Sequence, residues 1–361
     1  MKRAYWVLIL LCVVVLLTSC TTTGDRQRSS EDRVVKTKAK AATYYNQGLT
    51  LLQNNDYLTA IRLFEKSAEL NRQDPWVYNA MGVAWGKLGR LEREVACYDR
   101  AIELDPQFAE ALNNRGVALY MLGRHNEARQ SLEEAIKADF QYQSAHLNLG
   151  KVFASQKEYE LALLSLDNAL RINPSSKRVV FTKGLVLEEM GKVEDALKCY
   201  ESILQVPGRH PHVCLRQAIC LEQLGRSQDA LRALERAVEE KPDHYEAFCQ
   251  RGNILEKLEQ YDQAAESFER AISILPSYAE AHHGKARCLG KLGQYKEALA
   301  ACEEALRLSP GSVAILKTKA TILKAMGKED EAQAVSETVT QLESRQPKEE
   351  PTPTDQGLIA E

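Results

Sequence analysis

The stretch His210-Pro211-His212-Val213-Cys214 sets two imidazoles and a thiol within five residues. Imidazole and thiolate are good ligands for zinc and haem iron, so a metal- or haem-binding carrier is the first chemistry to weigh. Spacing argues against one shared ion. Pro211 is suited to open a helix, and on a helix His212 and Cys214 fall on nearly opposite faces. The expected arrangement is a surface histidine and a core cysteine, with no metal held. The chain contains no His-Glu-x-x-His, P-loop, Gly-x-Gly-x-x-Gly, Gly-x-Ser-x-Gly or Cys-x-x-Cys. No catalytic residue is assigned, no cofactor is expected, and the chain reads as a non-enzyme.

Cys97, Cys199, Cys214, Cys220, Cys249, Cys288 and Cys302 read as small buried hydrophobes. Cys199 and Cys214 flank one junction and are the pair to check for a disulfide. An odd number of thiols argues mildly against an oxidising compartment. Cys20 is different. Lys2 and Arg3 precede an uncharged apolar run from Ala4 to Leu17, closed by Thr18, Ser19 and Cys20. A charged start, a short apolar run and a small-residue end make a secretory signal, too short to cross a membrane. Leu17-Thr18-Ser19-Cys20 resembles the bacterial lipobox. The resemblance implies that residues 1–19 are removed and that Cys20 carries lipid, palmitate included, on its thiol and amine. Several acyl chains anchor a protein stably where one does not. Thr21, in place of Asp, implies an outer-membrane lipoprotein facing the periplasm. The alternative is a cytoplasmic adaptor held by an uncleaved anchor, which the thiol count favours.

The chain has 47 basic and 50 acidic residues, well mixed, for a net charge of −3, or −5 once Lys2 and Arg3 leave with the signal. Nothing resembles the basic stripe that nucleic acid requires, so none is expected as a partner.

The elements that position these residues announce themselves as a repeat. Gly48, Gly82, Gly116, Gly150 and Gly184 are spaced by 34, and Ala218, Gly252, Ala286 and Ala320 continue the series. Ala60, Glu94, Ala128 and Ala162 begin a second column, and Ser67, Ala101 and Ala135 a third. Pro106, Pro174, Pro242, Pro276 and Pro310 share a fourth. This pattern resembles the tetratricopeptide repeat (TPR), with small residues at repeat positions 8, 20 and 27 and Pro at 32. The resemblance implies an all-α fold, a right-handed solenoid or superhelix of about nine TPR helix-turn-helix units over residues 41–346. A lipidated Cys and flexible linker (20–40) would precede it, its second half from Glu31 offering a backward extension of the first helix, and a disordered Pro-rich acidic tail (347–361) would follow. Gly89, Gly123, Gly191, Gly225, Gly293 and Gly327 hold position 15, where a left-handed residue ends the first helix. Asn55 tolerates that conformation, and Lys157 and Glu259 less so. Larger residues such as Phe64, Tyr98 and Leu132 recur at position 24 and fill the space between helices. No unit buries its apolar face alone, so stacking supplies the core.

Three departures stand out. Glu94 replaces Ala, so the second repeat must open or aim that carboxylate outward. Pro207-Gly208 places its proline one residue early. The ninth repeat carries Ser336 and Val339 where the columns want other residues, as a solvent-facing cap would. His146 and His282 share position 4 and are expected to pack rather than ligate.

In the family, first-helix positions 2, 5, 6, 9, 12 and 13 line a concave groove. In repeats one to four they give an uncharged lining that includes Tyr45, Asn46, Trp76, Asn79, Asn113, Asn114, Tyr120, Leu147 and Asn148, with Lys151 beside it. Asn46, Asn114 and Asn148 share position 6 and would form a ladder with a gap at Ala80. Amides both donate to and accept from a peptide backbone, and aromatics anchor side chains. Repeats five to nine present mixed charge, with Arg178, Arg216 and Arg287 as a rival site for an acidic segment. The function implied is a non-catalytic, lipid-anchored scaffold of the bacterial envelope. It would hold an extended or helical segment of a protein partner in the groove, with the membrane as second partner through Cys20. Tetratricopeptide lipoproteins serve pilus assembly, polysaccharide export and cell-wall hydrolase recruitment.

Overall fold

A computed structural model describes residues 33–345. The expected signal peptide (1–19), Cys20 and the tail (347–361) lie outside the described residues. The described residues form eighteen helices and no strand, and the chain divides into two compact units, ending at Asn173 and beginning at Pro174. The first unit holds four hairpins: α1 (33–53) with α2 (Tyr57–Leu70), α3 (Pro75–Lys87) with α4 (Leu91–Leu104), α5 (Ala109–Met121) with α6 (His125–Ala138), and α7 (Gln143–Ser155) with α8 (Tyr159–Ile172). The second holds five: α9 (Lys177–Glu189) with α10 (Val193–Leu204), α11 (Pro211–Gln223) with α12 (Ser227–Glu240), α13 (Tyr245–Lys257) with α14 (Tyr261–Ile274), α15 (Ala279–Lys291) with α16 (Tyr295–Leu308), and α17 (Val313–Ala325) with α18 (Glu329–Arg345). Each hairpin is one 34-residue repeat.

The columns account for the punctuation. Position 15 is left-handed throughout: Gly123 has φ +74°, and Asn55, Lys157 and Glu259 are forced to 62°, 61° and 60°. The proline column closes the turn between repeats. Pro106 sits in a turn that the Phe108 N–H closes on the Asp105 carbonyl at 3.1 Å, and proline's fixed φ suits that place. Pro207, one residue early, leaves α10 at 12 residues where α8 and α12 have 14. Residues 33–40, within the expected linker, are helical, as the backward extension of the first helix from Glu31 would have it. Extending an existing helix adds a hydrogen bond per residue without a new nucleus, so α1 runs back past the first repeat.

The small residue at position 8 faces the large one at position 24 of the same repeat. A Cβ placed on Gly82 would meet the Tyr98 ring at 2.5 Å, and one on Gly116 would meet Leu132 at 2.7 Å. Where position 8 is alanine the opposing residue is never aromatic: Ala218 stands opposite Leu234, Ala286 opposite Cys302 and Ala320 opposite Ser336. Position 27 packs on the next repeat, as Ala101 does with Phe108 and Ala111. Glu94 takes neither expected course. Its carboxylate is tucked over Gly86, where a Cβ would lie 2.5 Å away, and accepts the Tyr98 hydroxyl at 3.1 Å. Its other oxygen is buried without a partner, and burial raises its pKa.

Candidate functional site

Successive first helices touch one another: α3 with α5 and α5 with α7 in the first unit, and α11, α13, α15 and α17 in turn in the second. Three of the polar contacts between them share one register. A residue at position 5 meets position 6 of the next repeat, a spacing of 35 rather than 34. Asn79 meets Asn114, Asn113 meets Asn148, and His283 meets Thr318 in this way.

In the first unit that register assembles a relay of amides. Asn148 Nδ2 donates to Asn113 Oδ1 at 2.8 Å, and Asn113 Nδ2 to Asn114 Oδ1 at 3.2 Å. Asn114 Nδ2 donates to Asn79 Oδ1 at 3.2 Å, and Asn79 Nδ2 to Glu110 Oε1 at 3.0 Å. All four bonds point the same way and end on a carboxylate in the first turn of α5. Hydrogen bonds in series polarise one another, and a helix N-terminus favours the negative charge at the end. The expected ladder along position 6 is therefore a diagonal through positions 5 and 6. Asn46 takes no part in it and is exposed on α1. Asn79 and Asn113, expected to line the surface, are buried at 4% and 5% exposure and hold Asn114 and Asn148 from below. Leu147 is buried as well. Glu110 was missed in the sequence, where it reads as an ordinary first-turn acid. Its 31-residue spacing from Asn79 matches no repeat column, so the 34-residue alignment gave no signal for it.

Trp76 is 53% exposed, and its ring lies 4.4 Å from Phe108. Tyr120 is half-buried, edge-on to His125 at 5.3 Å, and Lys151 is half-buried on α7. Burial, with Asp74 and Glu110 adding to it, raises the Tyr45 pKa, so this phenol stays protonated.

The second unit binds its charges to each other. Position 12 is Glu188, Glu222 and Glu256 in three successive repeats. Arg216 lies 3.5 Å from Glu188, Lys257 is 2.9 Å from Glu222, and Arg287 grips Glu256 through Nε and a terminal nitrogen at 2.8 and 2.6 Å. Two of the three arginines expected to await an acidic segment are thus already paired. Arg178 is exposed on α9. His283, beside Arg287, has its pKa lowered to about 4, chiefly by burial, and is neutral at physiological pH.

His146 and His282 both contact the carbonyl at position 32 of the preceding repeat, at 3.0 Å from Phe140 and Pro276. His210, His212 and Cys214 separate. His210 Nε2 lies 3.1 Å from Lys177 Nζ, His212 packs on His244, and Cys214 is buried. Among the described residues, no three His, Cys, Asp or Glu side chains gather as a metal cage. Among the described residues seven cysteines stand outside any disulfide, Cys199 and Cys214 included. Burial pushes the thiols of Cys214 and Cys302 up to about 11 and those of Cys249 and Cys288 to about 12.

Tetratricopeptide models match residues 41–74, 86–123, 109–142, 143–176, 181–247, 249–313 and 291–347. The chain belongs to the tetratricopeptide repeat family, whose arrays are generally non-catalytic scaffolds that bind peptide segments of other proteins. No curated protein matches it. Solved structures sharing the fold include pilF of Pseudomonas aeruginosa, 22% identical, covering 57% of this chain and 94% of that one with a TM-score of 0.51. A tetratricopeptide repeat protein of Parabacteroides merdae is 16% identical, covering 68% and 98% at 0.55. A chain of the APC/C Cut9–Hcn1 hetero-tetramer is 16% identical, covering 74% and 52% at 0.54.

Proposed function

We propose that this chain is a non-enzymatic, lipid-anchored scaffold of a bacterial cell envelope. It holds an extended segment of a protein partner against the first helices of its N-terminal unit. The observation that carries the binding reading is the amide relay. Asn114, with one N–H and one lone pair engaged, keeps one of each for a partner's backbone. Its neighbours fix its orientation in advance, which lowers the entropy lost on binding. Trp76, exposed and backed by Phe108, supplies an aromatic anchor. The Leu17-to-Cys20 motif supports the lipid anchor and the outer-membrane, periplasm-facing location. No described helix is long and apolar enough to cross a membrane. Seven described cysteines outside any disulfide favour the second reading, a cytoplasmic adaptor held by an uncleaved residue 1–19 segment.

Two experiments test these parts separately. Mass spectrometry of the native N terminus should find lipidated Cys20 as the first residue, and Cys20→Ser should accumulate as full-length precursor. A chain that still begins at Met1 would establish the second reading. For binding, a partner captured from the native membrane extract is titrated against Trp76→Ala/Asn148→Ala and Arg178→Ala/Arg216→Ala at low and high salt. The first pair should weaken binding roughly thirtyfold, about 2 kcal/mol, at either salt. If only the arginine pair weakens it, and salt does too, the charged unit is the working surface.

A further inference from the structure

The amide relay ends on a negative charge that the chain leaves uncompensated. Glu110 Oε1 accepts Asn79 Nδ2 at 3.0 Å. Among the described residues, nothing hydrogen-bonds its other oxygen, Oε2, which is not buried, and no lysine, arginine or histidine pairs with the carboxylate. Acids of the second unit are held differently: Lys257 lies 2.9 Å from Glu222, and Arg287 2.6 Å from Glu256.

An aromatic wall stands beside this carboxylate. Trp76 and Glu110 both hold position 2, in the second and third repeats, on helices α3 and α5, which touch. Two contacts tie them together. The Trp76 ring rests 4.4 Å from Phe108, two residues before Glu110. Asn79, which bonds Glu110, lies one turn after Trp76 on the same face of α3. Trp76 is exposed, so much of its ring is open to a ligand. Phenols on both sides sense the charge. Burial, then Asp74 and Glu110, raise the pKa of Tyr45 on α1, and burial, then Glu110 and Asp139, raise that of Tyr142 at the start of α7.

We infer that Glu110 and Trp76 together bind a lysine or arginine side chain of the partner segment. The cation pairs with Oε2 of Glu110 and lies against the Trp76 ring, whose face attracts positive charge. The inference rests on the reading that the first unit holds an extended segment, and it adds a register to that reading. Glu110 and Asn114 stand four residues apart on α5, about 6 Å along the helix axis. An extended segment advances about 3.3 Å per residue, so the basic residue falls within about two residues of the one whose backbone Asn114 holds. A neutral or acidic residue at that place leaves the carboxylate without a partner, which makes the place a determinant of specificity.

The probe is a synthetic mixture of acetylated, amidated nonapeptides randomised at every position. Peptides captured by the full chain in detergent are sequenced by mass spectrometry, and the wild type should enrich lysine or arginine. The strongest binder is then remade with norleucine in place of its basic residue, and both peptides are titrated against the wild type and Glu110→Gln. Glutamine keeps the acceptor that Asn79 needs, so the variant removes the charge and spares the relay, and circular dichroism verifies its fold. Norleucine should cost about tenfold in affinity with the wild type and less than about twofold with Glu110→Gln. Trp76→Leu should narrow the difference as well. Captured peptides without basic enrichment would overturn the inference and leave peptide binding standing. So would a norleucine penalty of equal size in the wild type and Glu110→Gln. A mixture from which the wild type captures nothing would overturn the peptide-binding reading and this inference together.

Discussion

Gly82 shows how one missing methyl sets the spacing of a hairpin. The Tyr98 ring occupies the place where its Cβ would stand, 2.5 Å away. Gly82→Ala should therefore destabilise the protein by about 1–3 kcal/mol in chemical denaturation, as overpacking does. Adding Tyr98→Leu should recover part of the loss, because Ala218 already lives opposite Leu234. A single variant as stable as the wild type would show that the ring is not the constraint. Glu94 is the opposite case, a side chain too polar for its place. Its folded pKa is raised by burial, so the folded state binds its proton more tightly than the unfolded one does. The destabilisation is fully present above the raised value and vanishes below the unfolded value. Glu94→Gln should thus gain about 1 kcal/mol at pH 7, the scale of relieving one buried unsatisfied group. The gain should fade as pH drops into the acid range. A gain that does not change with pH would mean that packing, not charge, is the cause.

At the scale of the helix, the hairpin bend carries the testable strain. Lys157 and Glu259 adopt φ 61° and 60° without glycine's freedom, at a cost of roughly 1–2 kcal/mol each. Lys157→Gly and Glu259→Gly should each raise the thermal midpoint, and Gly123→Ala should lower it. The helices, bends and stacking contacts were legible in the sequence because each depends on one residue type at one repeat position. The start of α1 was legible only as an extension of the first helix from Glu31, because it depends on a helix already present to be lengthened, and Val34 and Val35, both exposed, form no column. The site was half legible. The residue types of the lining were visible, but not which amides lie beneath the surface. Asn79 and Asn113 face their neighbours along a 35-residue diagonal, and a 34-residue alignment conceals that spacing. The pairing of Arg216 and Arg287 with acids of the preceding repeat escaped because its spacings match neither 34 nor 35.

At the scale of the whole array, five thiols among the described residues are completely buried: Cys214, Cys220, Cys249, Cys288 and Cys302. All have pKa values raised, chiefly by burial. Above the ordinary thiol value the unfolded chain has lost these protons while the folded chain keeps them, so stability falls as pH rises. Each contributes a slope of about 1.4 kcal/mol per pH unit in that window. Denaturant midpoints should drop steeply between about pH 9 and 11, and a thiol reagent at neutral pH should reach these five only on unfolding. Rapid labelling of all of them in the native protein would contradict their burial. Stacking also limits how far damage travels. Ala264→Leu should reduce hydrogen-exchange protection in the sixth to eighth repeats of the second unit and spare the ninth.

The contact between positions 8 and 24 has a consequence for descent. It joins residues 16 apart inside one repeat, as Gly116 meets Leu132, so a duplicated or deleted repeat takes its own fit with it. Gene copying can lengthen such a chain in whole units with little repair. The amide relay is inherited differently. Its bonds cross from one repeat to the next, and excising residues 109–142 would remove Glu110, Asn113 and Asn114 together. Length is free to vary here by whole cassettes, while the order of these particular neighbours is what lineages keeping the relay must preserve.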